Sequence, residues 1–201
     1  MSAILLRCIA VSALLLAGMP SFAADAGDSA VFLVAAPQIR DPNFARSVVL
    51  LTYAAGEEPF GVIINHPLHH HLDEMFPEHP QLRQRREEIY FGGPVARDAL
   101  VFLLRSADPP PHAIPVFGDL YFTGDVAWIN GLAHPPHDVR VYLGYAGWTA
   151  GQLQNEIQRG DWHVVQANAE TIFQRDPESV WPALNARATM IRTKFRIEDG
   201  R

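Results

Sequence analysis

The stretch from residue 144 to 162, GYAGWTAGQLQNEIQRGDW, constrains the fold more than any other part of the chain. It follows a run of apolar and β-branched residues that predicts a buried strand. Thr149, with Gln152 three residues later, has the spacing of a capping box, and Gly160 stands where a left-handed residue would end a helix. The pattern therefore predicts a strand, a glycine turn over 146–148, and a helix that begins at Thr149 and stops at Gly160.

The predicted helix is amphipathic. Ala150, Leu153 and Ile157 recur on one helical face, which is the face expected to pack on the sheet. The polar residues between them, Glu156 among them, are expected to face solvent.

The first 23 residues have the pattern of a cleavable export signal. A single basic residue, Arg7, precedes an apolar run at 9–16, and small residues lead to a cleavage site after Ala23. Cys8 lies in front of the apolar run, so lipid anchoring is not expected. We therefore predict a periplasmic or secreted protein with a flexible mature N-terminus at 24–30.

Charge, hydrophobicity and length limit the class of protein that this chain can be. The chain has 16 lysine and arginine residues against 22 acidic residues, a net charge of −6, which argues against non-specific nucleic-acid binding. No later stretch reaches the roughly 20 apolar residues of a membrane span. The length suits one hydrophobic core, predicted at 31–186, followed by a charged, frayed tail at 187–201.

Short apolar runs separated by glycine and proline predict an α+β domain with a largely antiparallel, barrel-like sheet and flanking helices. A hairpin is expected to turn at Gly118, and Thr123 is expected to cap a short helix. A later helix should start at Asp176 and be kinked or shortened by Pro182. The predicted strands cover residues 31–36, 47–53, 60–65, 99–104, 139–145 and 162–166.

Four sequence blocks in a fixed order carry a family resemblance. They are DPNFARSVV at 41–49, FGVIINHP at 60–67, FGGPV at 91–95 and LGYAGWTAGQLQNEI at 143–157. Together they resemble the YqgE/AlgH family over residues 31–186. The resemblance implies a compact α+β fold and the family's label of transcriptional regulator, without an established biochemical activity and without catalytic residues.

A strand that leads through a glycine turn into a helix N-terminus can bind a small anion with its free amides. The candidate residues are Gly144, Ala146, Gly147, Trp148 and Thr149. Alternatively, these glycines only permit a tight turn and close helix packing, with Thr149 capping its own helix.

The same segment has the outline of a nucleophile elbow, with Thr149 in the place of the serine of GxSxG. A hydrolase that uses Thr149 is therefore a third functional hypothesis. The extra methyl group of threonine and its capping role argue against it.

A histidine-rich segment offers candidate metal ligands. If residues 66–74 were helical, histidine and glutamate side chains four residues apart could bind zinc or copper. The alternative is adventitious binding by solvated side chains. The candidate ligands are His66, His69, His70 and His71, with Asp73, Glu74, His134 and His137 as further donors.

A short basic group, Arg83, Arg85 and Arg86, is followed directly by two glutamates and is best explained as a solvated helix face. We therefore interpret the sequence as an exported, non-enzymatic binding or interaction module. Its partner would be an unknown protein or a small anionic ligand. The alternative is the regulator that the family label implies.

Overall fold

The computed structural model describes residues 30–52, 58–131, 139–149, 151–174 and 176–198. The predicted export signal, the segment 24–29 and the histidines at 134 and 137 lie outside these ranges. Ala30 is buried directly before the first strand.

Eight of the ten described strands follow the predicted apolar runs and the predicted hairpin, whereas β4 and β5 were not predicted. They are β1 (Val31–Ala35), β2 (Val48–Thr52), β3 (Phe60–Ile63), β4 (Pro67–His71), β5 (Glu88–Phe91), β6 (Val95–Arg105), β7 (Ile114–Phe117), β8 (Leu120–Thr123), β9 (Val139–Gly147) and β10 (Trp162–Gln166). The helices are α1 (Leu72–Met75), α2 (Val126–Gly131), α3 (Gln152–Arg159), α4 (Ala169–Phe173) and α5 (Val180–Glu198), with a 3-10 turn at Pro177–Ser179.

The strands form one curled sheet in the order β10-β1-β2-β3-β9-β6-β8-β7, with β4 and β5 attached beside β9. All the pairings are antiparallel except β5 with β9. The predicted α+β class with a largely antiparallel, barrel-like sheet is therefore confirmed. β9 pairs with three other strands and is the centre of the sheet.

Apolar residues fill three layers because both faces of the curled sheet are covered. The inner face carries Phe32 and Leu103, and Leu184 of α5 packs on it. On the outer face, Leu153 of α3 covers the strands near β1. Ile129 of α2 covers the other half of the outer face.

Two glycine-containing sequence blocks meet where β5 ends beside β9. The Gly92 N–H donates to the Leu143 carbonyl at 2.8 Å. A Cβ on Gly92 would lie 2.2 Å from the Gly144 carbonyl oxygen, and Gly144 itself has a φ of +70°. Only glycine fits this contact without backbone movement, so the blocks at 91–95 and 143–157 are parts of one packing unit.

The helix ends differ from the sequence predictions in three places. The Asp125 carboxylate accepts from the Trp128 N–H, so Asp125 rather than Thr123 occupies the start of α2. Pro182 lies in the first turn of α5, where its missing N–H costs nothing, and the helix continues past it. The predicted tail at 187–201 was wrong in part, because α5 extends to Glu198.

Two short helices, α1 and α4, were not predicted. Each covers little more than one turn, too short for helical periodicity. Among the described residues, no helix is both long enough and apolar enough to span a bilayer.

Candidate functional site

The predicted glycine turn is the end of β9 in the structure. Ala146 and Gly147 pair with Gly61 and Phe60 of β3. The Trp148 N–H then donates to the Pro59 carbonyl at 3.3 Å. The prediction of a turn over 146–148 was therefore wrong, because β3 offers pairing partners to that segment.

Thr149 does not cap α3. The N-cap is Gly151, with a φ of 78°, and α3 starts at Gln152. The Thr149 N–H and hydroxyl both contact the Gln152 side-chain oxygen at 3.3 Å. An amide oxygen is not a base that could activate a hydroxyl, so this geometry gives the hydrolase hypothesis no support.

The same contacts bear on the predicted anion site. The N–H groups of Trp148 and Thr149 already have acceptors within the chain. An anion bound by residues 144–149 would have to replace them. Anion binding at this segment stays a prediction.

Glu156 ties α3 to the sheet, although its helical position predicted exposure. Its Oε2 accepts from the indole N–H groups of Trp148 at 2.8 Å and Trp162 at 2.9 Å. Gln152 donates to the other oxygen at 2.9 Å. Phe44 packs edge-on to the Trp162 ring, with the ring centroids 5.6 Å apart. Much of the 144–162 stretch is therefore a packed structural unit.

The histidine-rich segment is not helical. Pro67–His71 forms β4, so the four-residue spacing assumed for metal ligands does not place their side chains on one face. His69 lies 3.7 Å from Glu88, while His70 and His71 lie 3.7 Å and 3.4 Å from Glu74. The histidines thus approach two different glutamates.

His66 lies between β3 and β4, directly before Pro67. Burial lowers the pKa of His66, and a hydrogen bond with the Arg46 backbone opposes that effect. Within the described ranges, no three histidine, cysteine, aspartate or glutamate side chains converge as a metal site requires. The structure gives the predicted zinc or copper site no support.

The basic group at 83–86 is part of a packed turn. Arg85 forms an ion pair with Glu87, and its Nη1 donates to the Ile129 carbonyl at 3.2 Å. The predicted solvated helix face was therefore wrong for Arg85, because this side chain connects the turn to α2.

A polar cluster that the sequence analysis missed lies at one end of the inner face. Arg140 of β9 is only 9 % exposed, and its Nη2 donates to the Gln174 carbonyl at 2.6 Å. Its guanidinium carbon lies 4.5 Å from the centroid of the Tyr90 ring. Tyr142 is fully buried two residues further along β9. A charged residue within the apolar run VRVYLGY was the available signal.

The two tyrosines of this cluster stay protonated. Burial raises the pKa of Tyr90 to about 12 against the opposing charge of Arg140, and the Tyr90 hydroxyl donates to Glu88 at 3.0 Å. Burial also raises the pKa of Tyr142. Both hydroxyls are therefore hydrogen-bond donors in the folded protein.

The edge of the sheet at β10 is the second feature that the sequence did not single out. Among the described strands, β10 pairs only with β1, in a regular register from Val31 with Gln166 to Ala35 with Trp162. The Ala36 N–H donates to the Asp161 carbonyl, and the Ala167 N–H donates to the Ala30 carbonyl. These two bonds determine which residues of β10 form hydrogen bonds with β1. They place the N–H and C=O groups of residues 162, 164 and 166 on the side away from β1.

A groove of about 350 Å³ runs along this edge. It is lined on one side by Ile157 and Gly160 at the end of α3, and on the other by Val165 and Ala188. Val164 lies at its centre and is 44 % exposed, unlike the neighbouring apolar residues.

These features define a small α+β domain with a curled, mainly antiparallel sheet, an open strand edge at β10 and a polar cluster at the end of its core. The AlgH-like family model (DUF179) matches residues 32–191. The chain belongs to the AlgH-like family.

Relatives share most of the domain. A UPF0301 protein of Azoarcus sp. strain BH72 is 36% identical over 154 residues, which are 73% of this chain and 81% of the relative. A UPF0301 protein of Thermobifida fusca is 36% identical over 163 residues, covering 74% and 81% of the two chains.

Two solved structures have the same fold. The solution structure of the AlgH protein from Pseudomonas aeruginosa matches with a TM-score of 0.65 and 30% identity, over 79% of this chain and 87% of that one. A crystal structure of a Corynebacterium diphtheriae protein matches with a TM-score of 0.61 and 24% identity, over 80% and 86%, and supports the fold alone.

Proposed function

We propose that this protein is an exported, non-enzymatic interaction module that takes an extended segment of a partner protein on the free edge of β10. The observation that carries the proposal is the row of outward N–H and C=O groups on residues 162, 164 and 166. An added strand would satisfy these groups with backbone hydrogen bonds, which is how many peptide-binding domains gain affinity.

The side chains along the edge supply a preference for apolar segments. Val164 is half-exposed at the centre of the groove, with Ile157 beside it. Soluble proteins usually protect edge strands with lysine, proline or a bulge. The β10 sequence WHVVQ has neither lysine nor proline, and its register with β1 is unbroken.

Export rests on the signal pattern at 1–23. A cell-fractionation experiment with the complete chain tests it, because cleavage after Ala23 would give a shortened product outside the cytoplasm. An uncleaved cytoplasmic product would remove the export part of the proposal and favour the regulator that the family label implies. The anion site at 144–149 is not part of this proposal, since its amides have acceptors.

Photo-cross-linking in living cells tests the edge itself. A photoreactive phenylalanine analogue at position 164 should capture one partner, and a synthetic peptide that covers the captured segment should compete with the capture. The same analogue at the exposed Glu178 is the control. Val164→Pro removes an outward N–H without breaking a hydrogen bond to β1, and should abolish peptide binding.

Two outcomes would contradict the proposal. One is equal capture from positions 164 and 178. The other is a cross-linked homodimer as the sole product, which would assign the edge to a second copy of this chain.

A further inference from the structure

The polar cluster at the end of the inner face contains two buried hydrogen-bond donors that no described residue satisfies. They are the Nη1 group of Arg140 and the hydroxyl of Tyr142. Both side chains are more than nine-tenths buried, so bulk water does not solvate them freely. Buried polar groups in folded proteins almost always have partners.

Arg140 is charged, so its unsatisfied donor indicates that a negatively charged group would bind there. The Nη2 group of Arg140 donates to the neutral Gln174 carbonyl, and no ion pair among the described residues includes Arg140. The Tyr90 ring covers one face of the guanidinium. Among the described residues, the partners of this buried cation are one carbonyl and one ring, and none of them is a counter-ion.

The neighbouring residues indicate which ligand would fit. Arg140 and Tyr142 are two residues apart on β9, so their side chains point to the same face of the sheet. Glu88 accepts from Tyr90 on the other side of the cluster, and its side chain is 39 % exposed. This carboxylate would repel a multiply charged anion. A single negative charge with two acceptor atoms suits the two free donors.

We propose that the protein binds a small carboxylate at this cluster, with one oxygen accepting from Arg140 Nη1 and the other from the Tyr142 hydroxyl. This site is independent of the β10 edge and of the 144–149 segment. It lies where β9 meets the linker between α4 and α5, beside Gln174.

Titration of the mature protein with acetate and formate tests the site, with chloride at the same ionic strength as the reference. Chemical shifts of the Tyr142 ring and of the Gln174 amide should move with acetate and not with chloride. Inorganic phosphate should bind at least about tenfold more weakly than acetate, because Glu88 disfavours its second charge.

Three variants make the test specific. Tyr142→Phe keeps the ring and removes one donor, and should weaken acetate binding about tenfold. Arg140→Gln removes the charge and should abolish binding. Tyr145→Phe on the same strand is the matched control and should bind as the wild type does.

Other results would overturn the proposal. One is the absence of any acetate-dependent shift in the wild type. A second is equal acetate affinity in wild type and Tyr142→Phe, a comparison that stands even if Arg140→Gln does not fold. A third is a crystal structure in which one ordered water joins both donors and is not displaced by soaked acetate.

Discussion

At the scale of single residues, Glu156 accepts three side-chain hydrogen bonds within the packed unit at 144–162. One carboxylate accepts from two indoles and from Gln152, and these bonds hold α3 against β9 and β10. Helical periodicity assigned Glu156 to the solvent face. It could not show that two tryptophans, 14 positions apart in the sequence, point their N–H groups at the same oxygen.

We expect Glu156→Ala to lower the free energy of unfolding by about 2 kcal/mol, the usual range for hydrogen bonds to a charged acceptor. Urea denaturation followed by tryptophan fluorescence measures this change. Gln158→Ala, an exposed position on the same helix, is the control and should change stability by less than about 0.5 kcal/mol. Equal effects of the two substitutions would show that the carboxylate does not hold the helix.

His66 makes stability depend on pH. Burial lowers the pKa of His66 in the folded state below its usual value of 6.5, so the unfolded chain binds a proton more readily. The stability that neutral His66 contributes is therefore complete above the unfolded pKa and is lost as the pH falls from there through the lower pKa of the folded state.

We expect His66→Gln to reduce the loss of stability between about pH 7 and about pH 5 in urea denaturation. His112→Asn, at an exposed loop position, is the matched control. A steeper loss of stability in His66→Gln would contradict this account.

At the scale of elements, the start of α3 shows which residue, Thr149 or Gly151, is the N-cap of the helix. The capping-box spacing assigned the N-cap to Thr149, whereas the structure assigns it to Gly151 in a left-handed conformation. The prediction failed because pairing with β3 extends β9 to Gly147 and moves the helix start along the chain.

Thr149→Ala should therefore cost less than about 0.5 kcal/mol, below the typical loss of a cap. Gly151→Ala should cost about 1 kcal/mol, since its Cβ meets no neighbouring atom and only the positive φ is strained. Chemical denaturation of both variants gives the comparison. A larger loss of stability in Thr149→Ala than in Gly151→Ala would show that Thr149 caps the helix.

The contact between β5 and β9 leads us to predict a larger loss of stability. Gly92→Ala should lower stability by at least about 3 kcal/mol or prevent folding, because its Cβ would clash with the backbone of Gly144. Gly131→Ala, which meets open space, is the control. Circular dichroism during thermal unfolding measures both, and a native-like Gly92→Ala would contradict the described approach of the strands.

At the scale of the whole molecule, the fold class and nearly all strands were predictable from apolar runs and their proline and glycine boundaries. The order of the strands was not, because β9 pairs with three strands, β3, β5 and β6, from different parts of the chain. The residues of the polar cluster are far apart in sequence, and only the sheet brings Tyr90 and Gln174 to Arg140. The open edge depends on strand order, so no local pattern could show it.

Residue-resolved amide hydrogen exchange tests the central claim, a free β10 edge that accepts a partner strand. In the protein alone, the amides of Trp162, Val164 and Gln166 should exchange faster than those of His163 and Val165, which face β1. Addition of the peptide that covers the cross-linked partner segment should slow exchange at residues 162, 164 and 166. Slow exchange at these three positions without peptide, or no change on its addition, would contradict the proposed function.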